Sequence, residues 1–166
     1  MDTQTGKTMK SLEILNDLIK IQDDRVSGYR QALSQLINMD SGLRCEIDKI
    51  IADGEYYKQQ LSQKIKELSG TAGIKSIVSG KIYNAWRDLK VIFSGITQKS
   101  IIDCSQYNET VALYAYEAAL DKNIEIEEDT RQLVEKQENE LRKINDEIKK
   151  YKKTYRSVDY ITLLLV

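Results

Sequence analysis

The stretch Leu12–Leu36, LEILNDLIKIQDDRVSGYRQALSQL, decides the fold. Leu12, Leu15, Ile19, Gln22, Val26, Tyr29, Leu33 and Leu36 recur at alternating steps of three and four residues. Such steps return to one face of a helix, whereas a strand would need alternation at every second residue. The stripe predicts a long helix from about Lys7–Ser11 to Met39, its seam facing other helices. One position breaks the apolar rule: Gln22, at the centre, is a neutral amide.

Working outward, Asp40-Ser41-Gly42 reads as a turn, with Ser41 as candidate N-cap for a second helix. That helix is expected over Leu43–Leu68, with Leu43, Ile47, Ile50, Gly54, Tyr57, Leu61 and Leu68 in its seam. Gly54 lies mid-helix, where glycine costs about 1 kcal/mol relative to alanine. Close approach of a neighbouring helix, or of a bulky side chain such as Tyr29, would offset that cost. The run Ser69-Gly-Thr-Ala-Gly73 interrupts the pattern, and Ser76–Gly80 reads as extended or turn-like chain. Lys81–Phe93 then reads as a short amphipathic helix with Ile82, Trp86, Leu89 and Phe93 on its apolar face and Gly95 as its stop.

A third long helix is predicted over Gln98–Lys122 behind a Thr97 N-cap. Its seam is Ile101, Cys104, Asn108, Val111, Ala115 and Ala118, with Tyr107, Tyr114 and Tyr116 on the flanks. The fourth starts near Glu125–Thr130, where acidic residues favour a helix N-terminus, and runs to about Tyr155. Leu133, Gln137, Leu141, Ile144, Ile148, Tyr151 and Tyr155 point inward. The interval between the second and third long helices far exceeds the roughly 2–8 residues of a bundle hairpin, so it reads as a crossover. The expected fold is all-α: an antiparallel four-helix bundle with a long crossover, containing a short extra helix, between helices 2 and 3. The expected layout is a flexible N-terminus over 1–8, the bundle over 9–156 and an apolar tail over 157–166.

Twenty-five Lys and Arg stand against 26 Asp and Glu, and there is neither proline nor histidine. Long uninterrupted helices suit a proline-free chain. The charge balance gives no footprint for nucleic acid or an anionic membrane. No apolar run approaches the roughly 20 residues needed to cross a bilayer, and Met1–Lys10 does not read as a signal peptide. Cys45 and Cys104 form no CxxC pair. A cytoplasmic protein without nucleic-acid or membrane partners is expected. The closing run, Ser157–Val166, either folds back on the bundle or docks on a second subunit, which makes a homo-oligomer the expected partner.

Two segments carry a resemblance. Asp24-Arg25-x-x-Gly28-Tyr29 lies in the first helix, and Ser76-x-x-x-Gly80 with Trp86-x-Asp88-x-Lys90 lies in the crossover. Together they resemble a bacterial family of ferritin-like four-helix bundles of unassigned function, over roughly residues 9–153. The resemblance implies a fold and a superfamily, and no particular activity. Relatives place a histidine before the crossover tryptophan and another in the last helix, where this chain has Tyr83 and Asn145.

A di-iron or di-manganese centre in such a bundle needs about four carboxylates and usually two imidazoles, arranged as Glu-x-x-His pairs. Here Glu109 is followed three residues on by Ala112, and Glu138 by Leu141. A histidine-free site would have to use Asp24, Glu55, Glu109 and Glu138, the carboxylates beside the seam centres. The centres themselves are Gln22, Gly54, Asn108 and Gln137, which predict a hydrogen-bonded polar core layer with Gly54 opposite the amides. Such a layer fixes helix register. Serine–histidine and cysteine–histidine catalysis are excluded, and Gly6-Lys7-Thr8 lacks the upstream glycine and strand of a phosphate loop. The expected function is a non-catalytic structural or binding protein without a cofactor. The alternative is a carboxylate-only iron or manganese oxidase or storage protein.

Overall fold

A computed structural model describes residues 3–72, 80–93 and 97–165. Among them the chain is all-α, with five helices and no strand: α1 (Thr3–Gln35), α2 (Ser41–Ala72), α3 (Lys81–Leu89), α4 (Gln98–Ala119) and α5 (Glu128–Leu164). No described helix is long and apolar enough to cross a membrane.

The long helices close a ring in the order α1–α2–α5–α4. Side-chain pairs give their directions. Asp23–Lys58 and Arg30–Glu55 run α1 antiparallel to α2. Asp103–Lys152 and Glu117–Arg142 do the same for α4 and α5. Gln22–Tyr116 and Tyr29–Glu109 relate α1 to α4, and Lys64–Asp129 and Asp40–Tyr151 relate α2 to α5. Ring neighbours are thus antiparallel, which leaves α2 and α4 parallel across the diagonal. They start at the same end, where the Asp40 amide donates to Gln98 Oε1 at 2.7 Å. The chain between them has to return along the whole ring, and α3 lies in that passage against α1 and α4.

Local chemistry sets the helix ends. Asp40, not Ser41, caps α2: its Oδ2 accepts from the Leu43 amide at 3.0 Å. Thr97 Oγ1 accepts from the Ser100 amide at 3.1 Å, as the sequence predicts. α1 begins at Thr3, ahead of the start its seam suggested. Gln4 and Thr8 both donate to the Glu127 carboxylate before α5. α3 stops at Leu89, and Leu89 is exposed rather than on the buried face. Most of Ser76–Gly80, and Gly95, lie outside the described residues. α5 continues as helix to Leu164 instead of folding back after Tyr155.

The core is one cluster drawn from all five helices. Of the α2 seam, Leu43, Ile47, Ile50, Gly54, Tyr57 and Leu61 are buried, and Leu68 is partly buried. The buried face of α4 is wider than read: Ile101, Asn108, Val111 and Ala115 are buried as expected, Cys104 is only partly buried and Ala118 is exposed. The adjacent 3-4 stripe, Ile102, Ser105, Glu109, Ala112, Tyr116 and Ala119, is buried along its length. On α1, Leu12, Leu15, Gln22, Val26 and Tyr29 are buried as read and Ile19, Leu33 and Leu36 are partly buried, while Leu18, Arg25 and Ala32 are buried beside them. These wider buried faces add Arg25, Glu109 and Tyr116 to the predicted amides Gln22 and Gln137 in the central layer.

Candidate functional site

Two charges meet in the middle of the ring. Arg25 is 3 % exposed and Glu109 0 %. Arg25 Nε donates to Glu109 Oε1 at 3.1 Å and NH2 to Oε2 at 2.6 Å, a side-on, two-point pairing. The third guanidinium nitrogen, NH1, donates to Gln22 Oε1. Tyr29 OH donates to Glu109 Oε1 at 2.9 Å. Burial alone would lower the Arg25 pKa, but the charge and hydrogen bonds of Glu109 hold it above its ordinary value. Burial and then the Glu109 charge push the Tyr29 phenol well above 10.0, so at neutral pH it is a donor.

The bonds continue across the core. Gln22 Nε2 donates to Tyr116 OH at 2.8 Å, and Tyr116 OH donates to Gln137 Oε1 at 2.8 Å. Gln137 Nε2 reaches Gln60 Oε1 at 3.0 Å and the Tyr57 carbonyl at 3.3 Å on α2. One chain of bonds, Tyr29–Glu109–Arg25–Gln22–Tyr116–Gln137–Gln60, therefore joins all four long helices. Buried polar groups cost little only when each is satisfied, and here every linking atom has a partner. Gly54 sits where α2 crosses this layer. A Cβ there would stand 2.7 Å from Val26 Cγ2 and 3.5 Å from Gln22 Oε1. The close neighbour is thus Val26, not Tyr29.

A second cluster fastens α3 to α1. Asp24 Oδ2 accepts from Trp86 Nε1 at 3.0 Å, Lys90 Nζ at 2.6 Å and Tyr83 OH at 3.4 Å. Asp17, 1 % exposed, caps α3 from outside: its carboxylate accepts from the Gly80 and Tyr83 amides at 2.8 and 3.1 Å. A Cβ on Gly80 would displace Glu13 Oε1 and approach Asp17 Oδ2 to 2.8 Å, crowding the carboxylate that caps α3. Phe93 lies against Gly28 and packs its ring 5.1 Å from that of Tyr29. Asp24, Gly28, Trp86, Lys90 and Phe93 line a cleft of about 180 Å³ between α1, the crossover and α4.

The two signature segments meet here. A family model for a domain of unknown function, DUF2383, matches residues 10–122. The chain belongs to the DUF2383 family. No curated protein matches it, and neither does any solved structure. The matched region of this DUF2383 chain contains α1 from Lys10 onward and all of α2, α3 and α4, and hence Asp17, Asp24, Arg25, Trp86, Lys90, Glu109 and Tyr116.

The predicted site residues separate into different roles. Gln22 and Gln137 share the layer but are bridged by Tyr116, with Gly54 beside them. Asn108 stands apart, its amide clamping the crossover through both the Val91 amide and carbonyl, at 2.9 and 2.8 Å. The four candidate metal ligands occupy four settings. Asp24 holds the crossover and Glu109 is paired with Arg25. Glu55 pairs with Arg30 and Lys58, and Glu138 with Arg142. Among the described residues, no group of three or more Cys, Asp or Glu side chains is arranged to hold a metal ion. Asp17 was not singled out from the sequence, Arg25 entered only through the first-helix signature, and Tyr116 only as a flank residue. The available signal was spacing: Gln22, Arg25 and Tyr29 follow a 3-4 step, as do Glu109, Ala112 and Tyr116.

Proposed function

We propose that this chain is a ferritin-like four-helix bundle acting as a non-catalytic structural or binding protein. The ring of antiparallel neighbours with one long crossover supports the ferritin-like part, since that connectivity distinguishes such bundles from simple up-and-down ones. The observation that carries the functional part is Arg25. In di-metal bundles, inward carboxylates from facing helices neutralise bound cations. Here the inward carboxylate, Glu109, is neutralised by a guanidinium from α1 that engages both its oxygens. A divalent ion at this layer would have to displace the guanidinium and meet its charge at close range in a low-dielectric interior.

Elemental analysis tests this on protein purified from cells supplemented with iron, manganese and zinc. The proposal expects far less than one metal per chain. A stoichiometric transition metal overturns it.

A further inference from the structure

The overall charge balance conceals a segregation along α5. Lys149, Lys150, Lys152, Lys153 and Arg156 fall within eight consecutive residues that contain no carboxylate. Lys150 is paired with Glu147 at 3.0 Å, and Lys152 with Asp103 at 2.8 Å. Among the residues whose side chains are described, Lys149, Lys153 and Arg156 have no carboxylate partner, and with Lys152 they line an open groove of about 710 Å³. Immediately beyond, Val158, Ile161, Leu163, Leu164 and Leu165 are all exposed, Leu163 by 76 % and Leu165 by 82 %. α2 begins opposite Tyr151, and Asp103 near the start of α4 lies opposite Lys152, so these last turns run past their companions.

The distribution of the apolar side chains around α5 bears on what covers them. At about 100° per residue, Val158, Ile161, Leu164 and Leu165 fall within one arc of about 120°, with Leu163 about 100° outside it. Lys149, Lys153 and Arg156 flank this stripe on one side, the arrangement of a helix lying in the plane of an interface. A second copy would bury the stripe but leave these cations without a counter-charge. Duplex nucleic acid would use the cations and leave the leucines in water. A basic turn followed by an apolar one matches the layered chemistry of an anionic bilayer surface, headgroups outside and acyl chains beneath.

We propose that the last turns of α5 bind an anionic lipid bilayer surface, with Lys149, Lys153 and Arg156 at the headgroups and Ile161, Leu163, Leu164 and Leu165 in the headgroup–acyl boundary. The contact is peripheral. Each cation at such a surface strengthens partition about fivefold, ~1 kcal/mol.

Co-sedimentation of the full chain with phosphatidylcholine vesicles, with and without phosphatidylglycerol, tests this. Partition is expected onto the phosphatidylglycerol vesicles alone, weakening as salt rises. The exposed triple variant K149Q/K153Q/R156Q is expected to bind about 100-fold more weakly, the product of three such factors. The variant I161S/L164S/L165S is also expected to lose partition while melting like the wild type. Failure to bind at low salt, or equal binding to both vesicle types, overturns the proposal. A dimer that dissociates in the serine variant and excludes vesicles points to a second copy instead and also overturns it. So does duplex DNA binding that survives the serine changes while vesicle binding is absent.

Discussion

Arg25 of α1 and Glu109 of α4 meet side-on in the core, with Nε–Oε1 at 3.1 Å and NH2–Oε2 at 2.6 Å. Taking either charge out of water costs several kcal/mol, which close two-point geometry and satisfied remaining donors can offset. Gln22 takes the third guanidinium nitrogen, and Tyr29 adds a donor to the carboxylate. The pair specifies more than it stabilises: α1 and α4 can bury these charges in only one relative register.

Removing one partner leaves the other buried and uncompensated. Arg25→Met and Glu109→Leu are each expected to cost about 3–5 kcal/mol, while the double variant recovers much of that loss. Urea denaturation of all four proteins gives the coupling. Simple addition of the two losses in the double variant would show that the pair does not act as a unit.

Tyr116 bridges Gln22 and Gln137 through one hydroxyl oxygen. Tyr116→Phe keeps the ring and removes that oxygen, leaving a buried amide donor and a buried carbonyl acceptor unpaired. The expected loss is about 1–3 kcal/mol. A thermal melt matching wild type would mean that the amides find other partners.

Gly54→Ala sets a helix-propensity gain of about 1 kcal/mol against a Cβ placed 2.7 Å from Val26 Cγ2. Overpacking of that kind costs about 1–3 kcal/mol, so the variant is expected to be net destabilised. Adding Val26→Ala should restore stability relative to Val26→Ala alone. If Gly54→Ala alone stabilises the protein, the close approach is not what keeps glycine there.

The seams of four helices were legible because heptad spacing reports burial on one face, and the crossover because its length excludes a hairpin. The central layer was legible only in part. Gln22 and Gln137 stood out as amides in apolar stripes. Glu109 was read as a candidate metal ligand and Arg25 as part of a signature segment, but not as a pair, because charged residues beside a seam are ordinarily solvated and nothing local shows that two of them are partners across 84 positions. Assigning α4 through Asn108 rather than Glu109 put Tyr116 on the flank. Both stripes satisfy a 3-4 rule, and only packing against α1 selects between them. Asp17 was hidden for a similar reason: an acid in mid-helix reads as surface until α3 arrives with two amides to be capped.

That cap predicts a local effect. Asp17→Ala removes the acceptor for the Gly80 and Tyr83 amides. Amide hydrogen exchange in α3 should accelerate well beyond that in α2 and α5. Equal acceleration throughout the molecule would argue that Asp17 supports the whole core rather than the crossover.

The buried phenols predict alkaline sensitivity. Burial, followed by the hydrogen bond to Asp40, pushes the Tyr151 pKa from 10.0 up to about 12. Burial raises Tyr29, Tyr57 and Tyr116 in the same direction. The folded state keeps these protons above pH 10 while the unfolded chain releases them. Stability is therefore whole below pH 10 and falls as pH rises toward 12. Urea midpoints followed into that range, with tyrosinate absorbance, check this. A flat profile would contradict it.

The central claim is that Arg25 is the resident cation of the core layer. Its most direct test is the melting temperature of the wild-type protein with and without excess manganese, iron(II) or zinc. A ligand that binds the native state raises stability by RT ln(1 + [L]/Kd). With Glu109 already neutralised, the account predicts no rise. A melting temperature that climbs with the concentration of any of these ions, and that Glu109→Gln abolishes, would contradict it.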